Sequence, residues 1–310
     1  PPAEQTQTQP SQQTDSKQKA TAQASVLTAT DSTDIFFAAT QGTQQQVVLR
    51  NNKVSVAIDT KGGCISEVKL NEYKSYTDFE AGRENPLLLY TARHAGMDLV
   101  IDAKQQQVPF SRYYFTPIEV TDSTAVLRLT GAHGATIDLC YTLLPDNYLV
   151  NFSLQAKGMQ GMLPTGTKHL AMTWHDRVAQ HEKGFYFENM YSTLTYKVHG
   201  DDTEKLSENA TEEESVTGKV DWIAFKNQYF SSVLMAKQPL NEVDLKSEQE
   251  EENCGYLKHY HAQMKAAFDP TGATATEFQF FFGPNNYRLL QSMDDYRLSE
   301  TEHDLQELVY

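Results

Sequence analysis

Histidines at regular spacing are the residues of this sequence that could perform chemistry. His169, His175 and His181 recur every six residues, and His259 and His261 stand two apart, so these last two would share one face of a strand. Imidazoles arranged in this way could bind zinc or, beside a carboxylate, transfer protons. However, the spacing matches none of the common zinc patterns, and ordinary surface or edge-strand histidines account for it more simply. The sequence therefore predicts no metal site and no cofactor.

An acid–base pair acting on a sugar is the second possibility. His175 beside Asp176 or Glu182 could provide a general acid and base, but carboxylates occur throughout the chain and no spacing singles out one pair. The sequence has no GxSxG elbow, no phosphate-binding loop and no dinucleotide-binding glycine pattern. We therefore predict no catalytic residues and no enzymatic activity, and we keep a carbohydrate-binding or sugar-epimerising β-sandwich protein as the alternative function.

Charge and composition narrow the class of protein further. The 310 residues include 26 Lys and Arg against 41 Asp and Glu, and the formal net charge of −15 disfavours binding to nucleic acid or to anionic lipid headgroups. No apolar run approaches the roughly 20 residues of a membrane-spanning helix. Because the chain begins at Pro1 without a signal segment, we expect any membrane anchor to lie outside it. Cys64, Cys140 and Cys254 allow one disulfide at most, and their spacing fits no zinc motif.

The stretch Val220–Ala236 is predicted to form the middle of the fold. With a period of two, Trp222 lies on one face and Ile223 on the other, and apolar residues occupy both faces throughout. Strands that are apolar on both faces are covered on both sides. A polar interruption at 226–228 divides the stretch, so we predict two central strands with Trp222 and Phe230 in the core.

Short strands with turn signals between them fill most of the remaining chain. One hairpin uses Val54–Ile58 and Cys64–Leu70 around the turn Gly62-Gly63, and another spans Thr136–Ala156. Further strands are predicted at Leu87–Tyr90, Met97–Ile101, Ile118–Thr121, Thr124–Thr130, His169–Trp174, Gly184–Val198, Gly255–Phe268 and Thr276–Phe282. Acidic segments predicted to be solvated loops or hairpin tips are Gly200–Glu214 and Glu242–Asn253.

These elements divide the chain into a tether, a sandwich and a helical exit. Residues 1–46 are predicted to be a flexible tether and lead-in, because they begin with a long run of Gln, Thr, Ser, Ala and Pro. Residues 47–283 are predicted to form one large all-β antiparallel sandwich. Residues 284–310 are predicted to hold two helices, Asn285–Met293 and Ser299–Val309, the second begun by a capping box.

An apolar stripe on the C-terminal segment is the candidate partner or coupling surface. It could pack on the sandwich or contact a membrane protein, and the acidic residues around it argue against insertion into anionic lipid. The stripe consists of Tyr287, Leu289, Leu290, Met293, Leu305 and Leu308.

Three segments resemble a known family. VVLRNNKVSVAIDTKGGCISEVKLNEYKSY (47–76) resembles the opening of the large periplasmic domain of the YidC family of bacterial membrane-protein insertases. Trp222 followed by Gln228-Tyr229-Phe230, and FQFFFGPNNYRLL (278–290), are similar to later motifs of the same domain in the same order. The lead-in FFAATQGT (36–43) resembles the Bacteroidetes branch of the YidC/Oxa/Alb family.

The resemblance implies a galactose-mutarotase-like β-supersandwich outside the bacterial inner membrane, between the first and second membrane helices. It also implies partners: the SecDF and SecYEG translocon components and nascent membrane proteins. The family's insertase activity belongs to a transmembrane bundle, so no catalytic residue is carried over to this chain. The expected function is a non-catalytic periplasmic domain that assists membrane-protein insertion and folding.

Overall fold

Residues 33–310 are described by the structure, a computed structural model. Within them the backbone is mainly β-strand, and every strand pair is antiparallel. The predicted all-β antiparallel fold is therefore confirmed. The first 32 residues of the predicted tether lie outside the described part of the chain.

The strands are numbered in chain order. They are β1 Gln46–Arg50, β2 Val54–Asp59, β3 Ile65–Leu70, β4 Leu87–Thr91, β5 Ala95–Asp102, β6 Gln107–Pro109, β7 Thr116–Val120, β8 Thr124–Thr130, β9 Thr136–Leu143, β10 Leu149–Lys157, β11 His169–Ala179, β12 Leu194–Val198, β13 Thr203–Lys205, β14 Glu212–Ser215, β15 Val220–Lys226, β16 Phe230–Gln249, β17 Tyr256–Ala267 and β18 Thr276–Pro284.

Helices between the strands are short. The α-helices are α1 Tyr76–Glu80, α2 Phe185–Met190 and α3 Tyr287–Ser292. The 3-10 helices are Phe37–Thr40, Phe110–Arg112, Ala132–Gly134, Gln160–Met162, Met293–Tyr296 and Leu305–Val309. In the described part of the chain, no helix has the length and apolar character needed to cross a membrane.

Two layers of strands face each other, and β16 belongs to both. The first layer has the order β6-β5-β11-β17-β16-β14, and the second has β13-β12-β15-β16-β18-β10-β9-β8-β7. Side chains from the two layers meet in the core, where the rings of Trp174 in β11 and Phe225 in β15 stack with centroids 3.8 Å apart. Tyr260 in β17 packs against the same Phe225 ring at 5.3 Å. The register of β16 shifts between Asn241 and Asp244, where the strand passes from one layer to the other.

The predicted central stretch is confirmed. All residues of β15 are buried, as are the first seven of β16. Trp222 is fully buried and Phe230 is 6% exposed, as expected for strands covered on both faces. Turn residues 227–229 join the two strands.

A smaller sheet of β1-β2-β3-β4 contacts both layers, through β1 with β8 and β9 and through β4 with β5 and β11. Its predicted hairpin turn is confirmed, because Gly62 and Gly63 both adopt positive φ angles, of 88° and 67°. At Gly63 a Cβ would also stand 2.6 Å from Cδ1 of Leu139 in β9. The Tyr141 hydroxyl donates a 2.6 Å hydrogen bond to the Gly63 carbonyl oxygen, so the turn is fixed against the sheet.

The end of the predicted lead-in packs on the sandwich. Phe36 is fully buried and lies edge-on to Tyr113, with ring centroids 5.8 Å apart. The Asp34 carboxylate is also buried and accepts a 2.9 Å hydrogen bond from the Tyr113 hydroxyl. Residues near Phe36 therefore anchor the chain before β1 begins.

Three segments differ from the sequence prediction. Gly184–Val198 is helix α2 followed by β12, because the Glu188 carboxylate turns inward and accepts backbone hydrogen bonds from residues 181 and 182. Glu242–Asn253 is mostly strand, since β16 continues to Gln249 with Val243 and Leu245 buried. Gly200–Glu214 contains the short strands β13 and β14, which are largely exposed.

Two C-terminal helical segments are present, as predicted, but they are shorter than expected. The first is α3 with a 3-10 turn after it, and the second is the 3-10 helix Leu305–Val309. The predicted capping box at Ser299 is wrong. The Ser299 hydroxyl donates to the Thr301 carbonyl oxygen, and the last helix begins after Asp304, whose φ of 53° is left-handed.

Candidate functional site

Most of the predicted coupling stripe faces inward. Leu290, Met293, Leu305 and Leu308 are all buried, so they attach the C-terminal segment to the sandwich and are not available for direct contact with a partner. Leu289 is partly buried against the core, and Tyr287 is 40% exposed. Of the two alternatives for the stripe, packing on the sandwich describes these four residues, and Tyr287 with the exposed part of Leu289 remains accessible to a partner.

Polar contacts hold the same segment in place. The indole Nε1–H of Trp222 donates a 2.8 Å hydrogen bond to the backbone oxygen of His303. The Asp294 carboxylate accepts from the backbone N–H groups of His303 at 2.6 Å and Asp304 at 3.1 Å. Lys197 of β12 forms an ion pair with Asp304 at 3.3 Å. The segment is thus fixed to the second layer through Trp222 and β12.

Exposed aromatic side chains on α1, on and after α2, on the β15–β16 turn and on the C-terminal segment are together called here the aromatic end. Large apolar side chains exposed to solvent often mark a binding surface when they lie near one another. The aromatic end consists of Phe79, Tyr186, Phe187, Tyr191, Tyr229, Tyr287 and Tyr310, all of them exposed.

Backbone contacts connect the elements that carry these aromatics. Helix α1 meets the segment before α2 through a 2.8 Å hydrogen bond from the Tyr76 N–H to the His181 carbonyl oxygen. The end of α2 meets the β15–β16 turn, where Thr193 and Lys226 exchange two backbone hydrogen bonds of 3.1 Å. The β15–β16 turn also contacts the residues just before α3, where the Asn285 N–H donates a 2.7 Å hydrogen bond to the Tyr229 carbonyl oxygen.

Helix α2 presents two adjacent exposed rings of the aromatic end. Its Glu188 is buried and bound to backbone N–H groups, which fixes the rotation of the helix about its axis. Tyr186 and Phe187 consequently face solvent, and their rings lie edge to face with centroids 5.6 Å apart. Sequence reasoning missed this surface because the segment was predicted to be a strand.

The acid–base pair that the sequence allows but does not single out, His175 with Asp176, is not assembled. His175 is exposed on β11, whereas its neighbour Asp176 points to the opposite face and is buried, which raises the pKa of its carboxyl group well above the usual value. His169 is exposed at the start of the same strand, and His181 is buried beyond its end. The six-residue spacing therefore does not bring the three histidines together.

A different set of histidines does come together, on the outer face of the first layer. The histidine cluster consists of His175 in β11, His259 and His261 in β17, and Glu248 in β16. The Oε2 atom of Glu248 lies 3.0 Å from Nε2 of His261 and 3.8 Å from Nδ1 of His259. On the other side of the cluster, Nε2 of His259 lies 3.4 Å from Nδ1 of His175.

Electrostatics in the cluster favour the neutral forms of His175 and His259 beside a charged Glu248 carboxylate. Burial lowers the pKa of both His175 and His259, and neighbouring His261 lowers it further in each. The Lys246 ammonium, together with His261, lowers the pKa of Glu248. The cluster therefore offers imidazole lone pairs and a carboxylate at neutral pH.

Comparison with known proteins finds agreement over nearly the whole chain. The family profile of the YidC periplasmic domain matches residues 46–309. The membrane protein insertase YidC of Phocaeicola vulgatus is 41% identical over 294 residues, covering 94% of this chain and 46% of that protein. The membrane protein insertase YidC of Bacteroides fragilis is 39% identical over 283 residues, covering 91% of this chain and 44% of that protein. The chain thus spans about half the length of the curated relatives it matches.

Structures with the galactose-mutarotase-like fold are among the solved structures similar to this chain. A galactose mutarotase-like protein from Lactobacillus casei is similar over 77% of this chain and 100% of that chain, with a TM-score of 0.47 and 9% identity. We take no function from this likeness.

Proposed function

The chain belongs to the YidC periplasmic domain family, and from this premise we propose that it is a non-catalytic domain of a membrane-protein insertase. It assists insertion and folding of inner-membrane proteins by docking partners at the periplasmic face of the bacterial inner membrane. The observation that supports the proposal most is the family match over residues 46–309, which covers almost the whole described chain. Helices outside this chain tether the domain to the membrane.

The aromatic end is the docking surface in this proposal. Aromatic side chains are enriched at the centres of protein interfaces, because they bury a large area at a small cost in conformational entropy. Tyr186 and Phe187 present such area on a helix that Glu188 holds rigidly. The partners are the SecDF and SecYEG components and nascent membrane proteins.

The C-terminal segment couples the docked domain to the rest of the insertase. Its buried leucines attach it to the second layer, so a displacement at the aromatic end is transmitted through α3 to Tyr310. Tyr287 and Tyr310 lie against each other at the exit, with ring centroids 6.2 Å apart. This coupling matters more for insertion than the remainder of the sandwich does.

Docking is tested in a full-length insertase that carries this domain, produced in cells depleted of their own insertase. The double variant Tyr186→Ser with Phe187→Ser removes the two exposed aromatics of α2. If the two side chains together contribute about 2 kcal/mol to docking, their loss weakens partner binding about 30-fold, measured by co-purification with the Sec components and by insertion of a reporter protein. The control is Ile118→Ser with Val120→Ser, which removes two exposed apolar side chains of β7 at the far edge of the second layer. Equal loss in both variants, or in neither, would refute the docking role.

Coupling is tested in the same cells by a second comparison. Leu305→Ser with Leu308→Ser undocks the C-terminal segment, whereas the matched pair Leu127→Ser with Leu139→Ser disturbs β8 and β9, away from that segment and from the aromatic end. We expect the first pair to lower reporter insertion more than the second. Normal insertion with the first pair, together with loss of insertion with the second, would show that the sandwich carries the coupling.

A further inference from the structure

The histidine cluster has the arrangement of a metal site, and strand register creates it. His175 of β11 lies directly opposite His261 of β17, and His259 of β17 lies directly opposite Glu248 of β16. Their neighbours in sequence, such as Trp174 before His175 and Tyr260 between His259 and His261, are buried in the core. Because side chains alternate along a strand, all four members of the cluster project from the outer face of the first layer.

Donor atoms in the cluster are spaced for a tetrahedral ion. Zinc bonds of about 2.0–2.1 Å place neighbouring ligand atoms about 3.3–3.4 Å apart. The two distances from Oε2 of Glu248, 3.0 Å to His261 and 3.8 Å to His259, lie on either side of that value. All three donor atoms lie within 4.8 Å of one another. We propose that Glu248, His259 and His261 bind a zinc ion, with a fourth coordination position open to solvent.

Hydrogen bonding alone does not account for the geometry. It explains the approach of His261 to Glu248, but Nδ1 of His259 is 3.8 Å from the same oxygen, which is too far for a hydrogen bond. Two imidazole rings from one strand, with centroids 4.0 Å apart, thus turn nitrogen atoms towards one carboxylate oxygen. A metal ion placed between the carboxylate oxygen and the two nitrogen atoms would be bound by all three.

Surrounding residues orient the three ligands. The Lys246 ammonium binds Oε1 of Glu248 at 2.9 Å and leaves Oε2 directed towards the histidines. Nδ1 of His175 lies 3.4 Å from Nε2 of His259, so a proton on that Nε2 would be shared with His175 and would leave the Nδ1 lone pair of His259 free for the ion. Opposite His175 is Gly96, where a Cβ would stand 3.1 Å from the imidazole Nε2. Lys246 and His175 are therefore positioning residues.

Zinc binding is tested on the complete chain after removal of any affinity tag. Isothermal titration with ZnCl2 and elemental analysis of the dialysed protein should both give one ion per chain. MgCl2 should give no signal, because imidazole is a poor ligand for hard cations. Co²⁺ should produce the visible absorption bands of a tetrahedral site with nitrogen and oxygen ligands.

Ligand variants identify the residues responsible. His259→Ala, His261→Ala and the isosteric Glu248→Gln should each weaken zinc binding by more than about 100-fold, since loss of a ligand exceeds the roughly 10–100-fold effect of an outer-sphere change. His175→Ala should weaken it by about 10-fold, and His175→Gln, which restores an acceptor, should recover most of that loss. The control His169→Ala removes an exposed histidine of the same strand outside the cluster and should change nothing.

The measurements separate a metal site from a structural role. All replaced side chains face outward, so the variants without zinc should keep the circular dichroism and melting temperature of the parent. Absence of zinc binding by the parent would overturn the proposal. So would zinc affinity that survives in both His259→Ala and His261→Ala, because the ion would then be held elsewhere.

Discussion

Truncation of Trp222 to alanine should destabilise the domain more than any change at its surface. The side chain is fully buried in β15, and its Nε1–H donates to the His303 oxygen at 2.8 Å. It therefore contributes both to the core and to the attachment of the C-terminal segment.

The magnitude follows from these two contributions. Removing a buried large aromatic costs about 3–5 kcal/mol in unfolding free energy, and a carbonyl oxygen left without its donor adds about 1 kcal/mol. The total of about 4–6 kcal/mol is a large share of the roughly 5–15 kcal/mol by which a domain is stable. At about 2–4 °C for each kcal/mol, the melting temperature of Trp222→Ala should fall by about 10–20 °C.

Differential scanning calorimetry of three variants checks this reasoning. Trp222→Phe keeps most of the apolar volume and loses the hydrogen bond, so it should cost only about 1–2 kcal/mol while trypsin cleavage at exposed Arg297 becomes faster. Tyr229→Ala, on the adjoining turn and 48% exposed, should stay within about 0.5 kcal/mol of the parent. A Trp222→Ala protein that melts within about 3 °C of the parent would refute the assignment of Trp222 to the core.

Three further predictions concern titratable groups and activity. Burial lowers the pKa of His181 to about 4, so the unfolded chain binds the proton more readily and stability falls as pH drops below about 6.5. Urea unfolding should show that the free energy of unfolding of the parent is about 2 kcal/mol lower at pH 5 than at pH 7.5, and that this loss is absent in His181→Gln. An equal loss in the parent and in the variant would contradict the assignment to His181. Ellman's reagent should react first with the exposed Cys254 and not with Cys64, because burial raises the pKa of the Cys64 thiol to about 12. The variant Cys254→Ser should therefore lose the fast phase of the reaction. Polarimetry with a panel of aldoses should show no mutarotation, and a rate that falls in His175→Ala would disprove the non-catalytic assignment.

Sequence patterns predicted the fold best where strands are covered on one face or both. Ile137, Leu139 and Tyr141 alternate with polar residues, and the β9–β10 hairpin follows that alternation throughout. The same signal was present in the second half of β16, where Val243 and Leu245 alternate inward. There the charged outer face suggested a loop, because the acidic residues outweighed the two apolar ones.

The candidate sites were less accessible to sequence reasoning. The histidine cluster joins β11, β17 and β16, and His175 and His259 are 84 residues apart, so only the strand register brings them together. Glu248 was assigned to a loop and could not be paired with a histidine. Helix α2 was missed for a related reason: the inward turn of Glu188 depends on backbone N–H groups whose position follows from the end of β11.

The passage of β16 through both layers sets the order in which the newly made chain can fold. The meander β7–β10 joins β16 through β18, and β11 joins it through β17, so the first layer is complete only when Ala267 has been synthesised and the second only when Pro284 has. Pairings between strands so distant in sequence form slowly, because a long loop must close before any contact is gained. Partial chains that end before β18 would expose the unpaired edge of β10, and we expect such fragments to require a chaperone or to aggregate. Once complete, the two layers share a strand and should unfold in a single cooperative step.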